Sequence, residues 1–314
     1  MAIPKVSIVT PSYNQAGFLE QTLQSVLSQG YPDLEYIVVD GGSTDGSREI
    51  IERCAGRLAY WVSEPDRGQA DAINKGLARA TGEIVAWLNS DDVYQPGAIA
   101  GAVAAFEAAP QAGMIFSDVL AIDGAGKPIN LMRYGDWGLD ELMTFHIIGQ
   151  PGVFIRRSAL AQAGGLDLDY HFLLDHQLWL RVAQAAPIQH ANAVWAAGRF
   201  HAGAKNVAQA SRFGDEAYAI VAWMRTQPAL LERCSRLERQ IWAGAHRMNA
   251  RYLLDGGQSA AAFRAYWKSI AAYPPIGLSE AHRMLYAGLS LAGLGGLKPL
   301  YLRLRRRLKG YSHG

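Results

Sequence analysis

The feature that most limits what this chain can fold into is a repeated switch between short apolar runs and amphipathic stretches. It fills the first two-thirds of the length. Residues 6–10 (VSIVT), 35–40 (EYIVVD), 59–64 (AYWVSE), 83–89 (EIVAWLN) and 113–123 (GMIFSDVLAID) are short, apolar and bounded by turn residues. They predict strands. The stretches between them predict helices. In 16–29, Phe18, Thr22, Leu23, Val26 and Leu27 fall on one helical face. Gly82 closes the helix of 68–82, and Pro96 opens that of 96–109. Strand-helix-strand alternation implies parallel strands joined by crossover helices, an α/β sheet. Ligands of such sheets bind outside the carboxyl ends of the strands. Four polar clusters stand at those ends here: TPSYN (10–14), DGGSTDGS (40–47), SEPDRGQAD (63–71) and NSDD (89–92).

Beyond residue 123 the pattern loosens. Residues 149–160 (GQPGVFIRRSAL) predict a strand leading into a helix, 170–187 a helix, and 194–206 a strand with a glycine-containing loop. From about 206 the pattern is helical. Residues 248–274 read as a helical hairpin with small residues at the contact, similar to one tetratricopeptide-type unit, and a single unit of that kind implies packing, not an array. We therefore expect two regions, 1–206 and 207–314. Charge divides in the same way. Residues 1–205 hold 14 Lys/Arg against 22 Asp/Glu, a net of −8, and residues 206–314 hold 16 against 6, a net of +10. Such asymmetry suggests different partners for the two regions. Cys54 and Cys234 sit in no metal-ligand spacing, which fits free thiols in a reducing compartment. No leader is expected from MAIPKVSIVT, which reads as a strand, and no apolar run reaches the ~20 residues of a spanning helix.

Asp91 and Asp92 pose the chemical question. A polar turn is the plain reading, since Asn, Ser and Asp bond their own backbone there. The alternative is a hard cation held by carboxylates beside a bound phosphate. With four polar clusters on one sheet edge, the second reading gains support.

Taken together, SIVTPSYNQAGFLEQTLQSVLSQGYPDLEYIVVDGGSTDGS, SEPDRGQADAINKGLARATGEIVAWLNSDDVY, LLDHQLWLR and RFHAGAKN resemble the inverting glycosyltransferases of the large family 2, of the surface-polysaccharide type. The resemblance spans residues 4 to 206. It implies the GT-A fold, Rossmann-like with a mostly parallel sheet flanked by helices, here with a C-terminal α-helical region. It also implies a nucleotide-diphosphate sugar as donor, and a saccharide or lipid-linked saccharide as acceptor.

Roles follow for particular residues. Pro11, Ser12, Tyr13 and Asn14 offer a slot for the nucleotide, with the Tyr ring as packing surface. Asp40 either contacts base or ribose or makes an Asx-turn into Gly41-Gly42; the resemblance favours contact. Asp71 is implied to face the uridine or ribose, and Asn74 follows one turn on. Lys75 reads equally as a phosphate contact or an exposed charge. Asp92 is implied to bind a divalent cation, Mg²⁺ or Mn²⁺, with Asp91 on ribose or a metal-bound water. Where the family usually carries an acid, this chain has Asn89. His201 is the second metal candidate, and Lys205 can reach phosphate.

Asp175 is the expected base, because attack at the anomeric carbon needs the acceptor hydroxyl deprotonated from the face opposite the diphosphate. A helix cap is its rival reading, and His176 is a weaker rival base. Leu174 stands where the family has a first acid, and Trp179 and Arg181 are expected to be structural, the Arg paired with an acid. Gln150 reads as a sugar contact or as part of a turn with Pro151.

The segment 300–310 (LYLRLRRRLKG) interleaves leucine with five basic residues. It suits an anionic membrane surface, which it would lie on without crossing. A packed helix is the rival, and nucleic acid is not favoured because no aromatic platform accompanies the charge. The expected place is the cytoplasm, peripheral on the inner membrane. Two other functions compete. A non-catalytic nucleotide-sugar-binding partner of an assembly complex is disfavoured by the intact Asp40, Asp91, Asp92 and Asp175. A nucleotidyltransferase would want a glycine-rich basic loop where TPSYNQAGF stands.

Overall fold

A computed structural model describes residues 3–201, 203 and 209–294. Its contacts divide the chain into two compact units: residues 3–142 with 147–201, and residues 143–146 with 203 and 209–294.

The first unit opens with β1 (Val6–Ser12), α1 (Ala16–Leu27), β2 (Leu34–Asp40), α2 (Ser47–Cys54), β3 (Tyr60–Ser63), α3 (Gln69–Arg79) and β4 (Ile84–Trp87). These strands lie side by side in the order β3-β2-β1-β4, all parallel. β1 and β4 are buried along their whole length, and β2 over its last five residues. A sheet covered by helices on both faces has this need for unbroken apolar strands. Val6, Ile8, Val38, Ile84 and Ala86 form a core with Leu19, Leu23 and Val26 of α1 and Ile50 and Ile51 of α2. On α3, Gly76 backs directly onto β1: a Cβ there would lie 2.3 Å from Val9 Cγ1, so only glycine allows this approach.

Beyond β4 come β5 (Val93–Tyr94), α4 (Ala98–Ala108), β6 (Met114–Asp123), β7 (Pro128–Met132), α5 (Leu139–Met143), β8 (Val153–Arg156), α6 (Arg157–Ala163), α7 (Leu174–Ala185) and β9 (Ile188–Phe200). The sheet continues β4-β8-β6-β9-β5, with β7 antiparallel on β6. The alternation predicted β6 as another parallel neighbour in the series. Instead β8 inserts antiparallel between β4 and β6. The parallel β6–β9 pair is irregular around Ser117 and Asp118. β9 brings the chain back across the tip of β4, where Val93 of β5 pairs with Ala197.

The second unit is helical: α8 (Phe213–Met224), α9 (Leu231–Arg236), α10 (Glu238–Asp255), α11 (Ser259–Ala272), α12 (Pro274–Leu278) and α13 (Ala281–Leu289). α10 and α11 form the expected hairpin about Gly256-Gly257, with buried Ala250, Ala262 and Ala265 where they touch. Arg251, Arg283, Glu280, Asp255 and the Tyr266 hydroxyl make an ion-pair cluster here. The segment 300–310 and Lys205 lie outside the described residues.

Candidate active site at the carboxyl ends of the strands

The end of β4 is fixed by its neighbours. Leu88 N–H donates to the Val9 carbonyl at 2.9 Å, and the turn closes with Asp92 N–H on the Asn89 carbonyl at 3.1 Å. Thr22 of α1 donates its hydroxyl to the Asp92 carbonyl at 2.7 Å. Arg199 of β9 then clamps the turn. Its backbone N–H donates to Asp92 Oδ1 at 2.8 Å and its Nε to the Asp91 carbonyl at 2.8 Å. Its other guanidinium nitrogens donate to Gln21 Oε1 and to the carbonyls of Asp123 and Gly124. Two residues later, His201 Nε2 lies 3.1 Å from Asp91 Oδ2, and its ring sits against Phe18 with centroids 4.5 Å apart.

Asp91 and Asp92 thus occupy different surroundings. Asp91 keeps 19% of its side chain exposed. Asp92 is buried, and burial followed by the charge of Asp91 pushes its carboxyl well above the usual carboxylate range, against the opposing Arg199 amide and Asn89. Among the described residues, no three His, Cys, Asp or Glu side chains converge to hold an ion by themselves. Asp91 and His201 do converge. A carboxylate and an imidazole at this spacing fit a divalent cation that completes its shell with substrate phosphates, which is how Mg²⁺-type ions are commonly held.

Asn89 explains its own presence. Its Oδ1 accepts from Gln69 Nε2 at 2.8 Å, and its Nδ2 donates to Gln150 Oε1 at 3.0 Å and reaches Asp92 Oδ2 at 3.5 Å. Gln150 Nε2 donates in turn to the Trp87 carbonyl at 2.8 Å. A chain of amides therefore links the start of α3, the tip of β4 and the turn before β8. An acid at position 89 would lack the donor that Gln150 requires. Gln150 is itself 8% exposed, so its amide serves this chain.

Beside the ends of β1 and β2, two loops are stitched together. Asn14, in the left-handed region at φ 51°, accepts Thr44 N–H at Oδ1 and donates its own N–H to Ser43 Oγ. Ala16 N–H donates to Asp45. Tyr13 is 62% exposed at the mouth, Pro11 and Ser12 are buried beneath it, and the Ser12 hydroxyl has no hydrogen-bond partner among the described residues. Asp40 is wholly buried. Its carboxylate accepts from Gly42 N–H, Ser43 N–H, Ser43 Oγ and Ser63 Oγ, the Asx-turn geometry with a cross-strand bond added. It shapes the Gly41–Ser43 turn. Gly41 faces Tyr13 and Asp66, and a Cβ there would lie 2.6 Å from Asp66 Oδ2.

Asp71 is 7% exposed and is held by Arg67 through backbone and guanidinium, which lower its pKa; Lys75 adds a 3.6 Å ion pair and bridges to Glu64. Asn74 spends its amide elsewhere. Its Nδ2 donates to the Leu166 carbonyl and its Oδ1 accepts Leu166 N–H, both at 2.8 Å. It anchors the loop that leads into α7.

α7 carries Asp175 in its first turn. The N-cap is Leu173, so Asp175 is not the cap; its Oδ1 accepts the adjacent His176 N–H at 2.7 Å, and the residue is half-buried. One turn on, Trp179 stacks on Trp87 with centroids 5.1 Å apart, which ties the start of α7 to the end of β4. Arg181 donates its guanidinium to the Ala163 carbonyl and Gln177 Oε1, capping α6, and the charge of Asp167 acts on it as well. Sequence reasoning also overlooked Arg199, Gln69 and Asp66. Arg199 stood two residues before His201 in RFHAGAKN, but its carbonyl and amide partners depend on strand order, which no local pattern carries.

A family model described as "Glycosyl transferase family 2" matches residues 7–151. An uncharacterized glycosyltransferase of Mycobacterium tuberculosis is 33% identical over 188 residues, covering 57% of this chain and 69% of that protein. The O-antigen biosynthesis protein RfbC of Myxococcus xanthus is 32% identical over 188 residues, 58% of this chain and 15% of that protein. Among solved structures, the mannosyltransferase PcManGT from Pyrobaculum calidifontis, in complex with GDP-Man and Mn²⁺, superposes with a TM-score of 0.61 at 22% identity. That alignment covers 98% of this chain and 88% of the other, and the likeness is one of fold, that of a GT-A enzyme. The chain belongs to glycosyl transferase family 2 and is a glycosyltransferase that uses a nucleotide sugar.

Proposed function

We propose that this glycosyltransferase inverts the anomeric centre of its donor sugar and depends on a divalent cation, Mg²⁺ or Mn²⁺. Its acceptor is a hydroxyl of a saccharide or lipid-linked saccharide in surface-polysaccharide assembly, as the RfbC name suggests for that relative. The observation that carries the reading is the meeting of Asp91 with His201, 3.1 Å apart and 110 positions apart in sequence, at the tip of β4. Asp91 and His201 would hold the cation, and Asp92 would support them from its buried place beside Asp91. The cation supplies Lewis-acid stabilisation of the departing diphosphate. The nucleotide lies against Tyr13, between the turns of residues 12–16 and 41–45, with Asp71 on its ribose side. Pro11, Ser12, Asn14 and Asp40 shape that slot. Gln150 and Asn74 position the acceptor side.

Asp175 accepts the proton of the acceptor hydroxyl. The acceptor oxygen bonds the anomeric carbon as the carbon–oxygen bond to the diphosphate breaks, and that electron pair leaves on the diphosphate. A positioned carboxylate of this kind contributes roughly 10²–10⁴-fold. The basic segment 300–310 is the proposed contact with an anionic membrane on its cytoplasmic face.

A thermal-shift panel of UDP, GDP and dTDP, each with and without Mn²⁺, tests the nucleotide and cation claims. Saturation at about 100 times Kd stabilises the native state by ~2.7 kcal/mol. The favoured diphosphate should raise Tm further with Mn²⁺ than without. D91A, D92A and H201A should each remove that metal-dependent part. A metal-dependent shift that survives all three substitutions would overturn the cation site.

A further inference from the structure

The second unit has an apolar face that nothing in this chain's described residues covers. On α11, Phe263 and Trp267 meet edge to face, with centroids 6.4 Å apart. On α13, Met284, Leu285 and Leu289 line an open groove of about 350 Å³ against Phe263. Trp267 is 54% exposed and Leu285 66%. The turn after α13 adds Leu291 and Leu294, at 50% and 47%. Isolated exposed leucines need no explanation, but a contiguous apolar groove continued by two more exposed leucines marks an interaction site.

Charge identifies the occupant. α11 and α13 contain no Asp or Glu at all, and Arg264 and Lys268 are exposed on either side of Trp267. The sequence beyond Leu294 adds six Lys or Arg between 298 and 309, again with no acid. An apolar face with tryptophan, flanked by cations and lacking anions, suits the headgroup and acyl boundary of an anionic bilayer. No described helix is long and apolar enough to cross a membrane, so the contact is with one leaflet.

We propose that the groove between α11 and α13 is a lipid-docking face, which inserts Trp267 and Leu285 into the surface of an anionic bilayer while Arg264 and Lys268 meet its headgroups. The proposal rests on the residues of α11 and α13, and it holds whether or not the catalytic reading does.

Sedimentation of the full chain with vesicles tests it. Vesicles of phosphatidylcholine containing 30% phosphatidylglycerol should pellet the protein, and pure phosphatidylcholine vesicles should not. W267E/L285E should lower the partition coefficient by roughly tenfold or more, and R264E/K268E by several-fold. Both pairs are exposed, so their Tm should stay close to the parent's. Three results would overturn the proposal: no pelleting of the parent with anionic vesicles, pelleting of W267E/L285E equal to the parent, or a parent dimer that W267E/L285E converts to monomer without change in vesicle binding. The second would leave lipid binding to the basic segment alone, and the third would assign the groove to a second copy.

Discussion

At position 89 a single amide does what a carboxylate cannot. It accepts from Gln69 and donates to Gln150, and its remaining reach touches Asp92. Replacing Asn89 by Asp keeps the shape but removes the donor and sets a third negative charge beside a buried one. A buried acceptor left unsatisfied costs about 1–3 kcal/mol. N89D should therefore lower unfolding free energy by that amount in denaturant titration and weaken the Mn²⁺-dependent shift. A loss under about 0.5 kcal/mol would show that the amide chain is not structural. The same residue scale marks where the sequence was readable. Position at a strand end pointed to Asp91 and Asp92 as candidates, and the family resemblance to His201 and Asp175. The Asx-turn of Asp40 was readable, but its bond from Ser63 and the Asn74 clamp on Leu166 were not, because those partners come from other elements.

Among elements, periodicity located β1 to β4, β6 and the four helices between them closely, because buried parallel strands read as unbroken apolar runs. It could not give β5, which is two residues long, or the antiparallel placement of β8, since strand order is set by packing and not by local pattern. α7 illustrates the consequence. Its position rests on the Trp87–Trp179 stack and on the Asn74 clamp to Leu166, both remote in sequence. N74A should loosen the approach to α7 and misplace Asp175. Small displacements of a catalytic group cost up to ~10²-fold. Donor turnover should fall by at least tenfold while nucleotide diphosphates still raise Tm as in the parent. Unchanged turnover would show that the clamp does not position the base.

At the scale of the molecule, the acidic first region and the basic second one were visible in composition, but the second unit's internal ion cluster was not. Burial raises the pKa of Glu280, yet Arg251, Arg283 and Arg247 outweigh it and bring the pKa down to about 2 from an ordinary 4.5. A carboxylate depressed in the folded state contributes stability above its unfolded pKa and loses it as pH falls toward the folded one. The helical unit should thus weaken between pH 4.5 and about 2. Arg251 keeps 38% of its side chain exposed, so solvent screening trims the effect to about 2 kcal/mol. E280Q should show lower stability at pH 7 and a flatter acid limb in urea titrations. An acid limb identical to the parent's would contradict this account of the cluster.

The central claim is that Asp175 takes the proton of an incoming hydroxyl while the diphosphate leaves from the other side of the sugar. Proton NMR of donor breakdown with water as acceptor tests it most directly. The donor is a nucleotide sugar of whichever diphosphate gives the largest shift with Mn²⁺. The account predicts that the parent first releases sugar of inverted anomeric configuration, and that D175A still binds the nucleotide but turns over at least ~10²-fold more slowly. Retained configuration, or D175A turning over at the parent's rate, would contradict it.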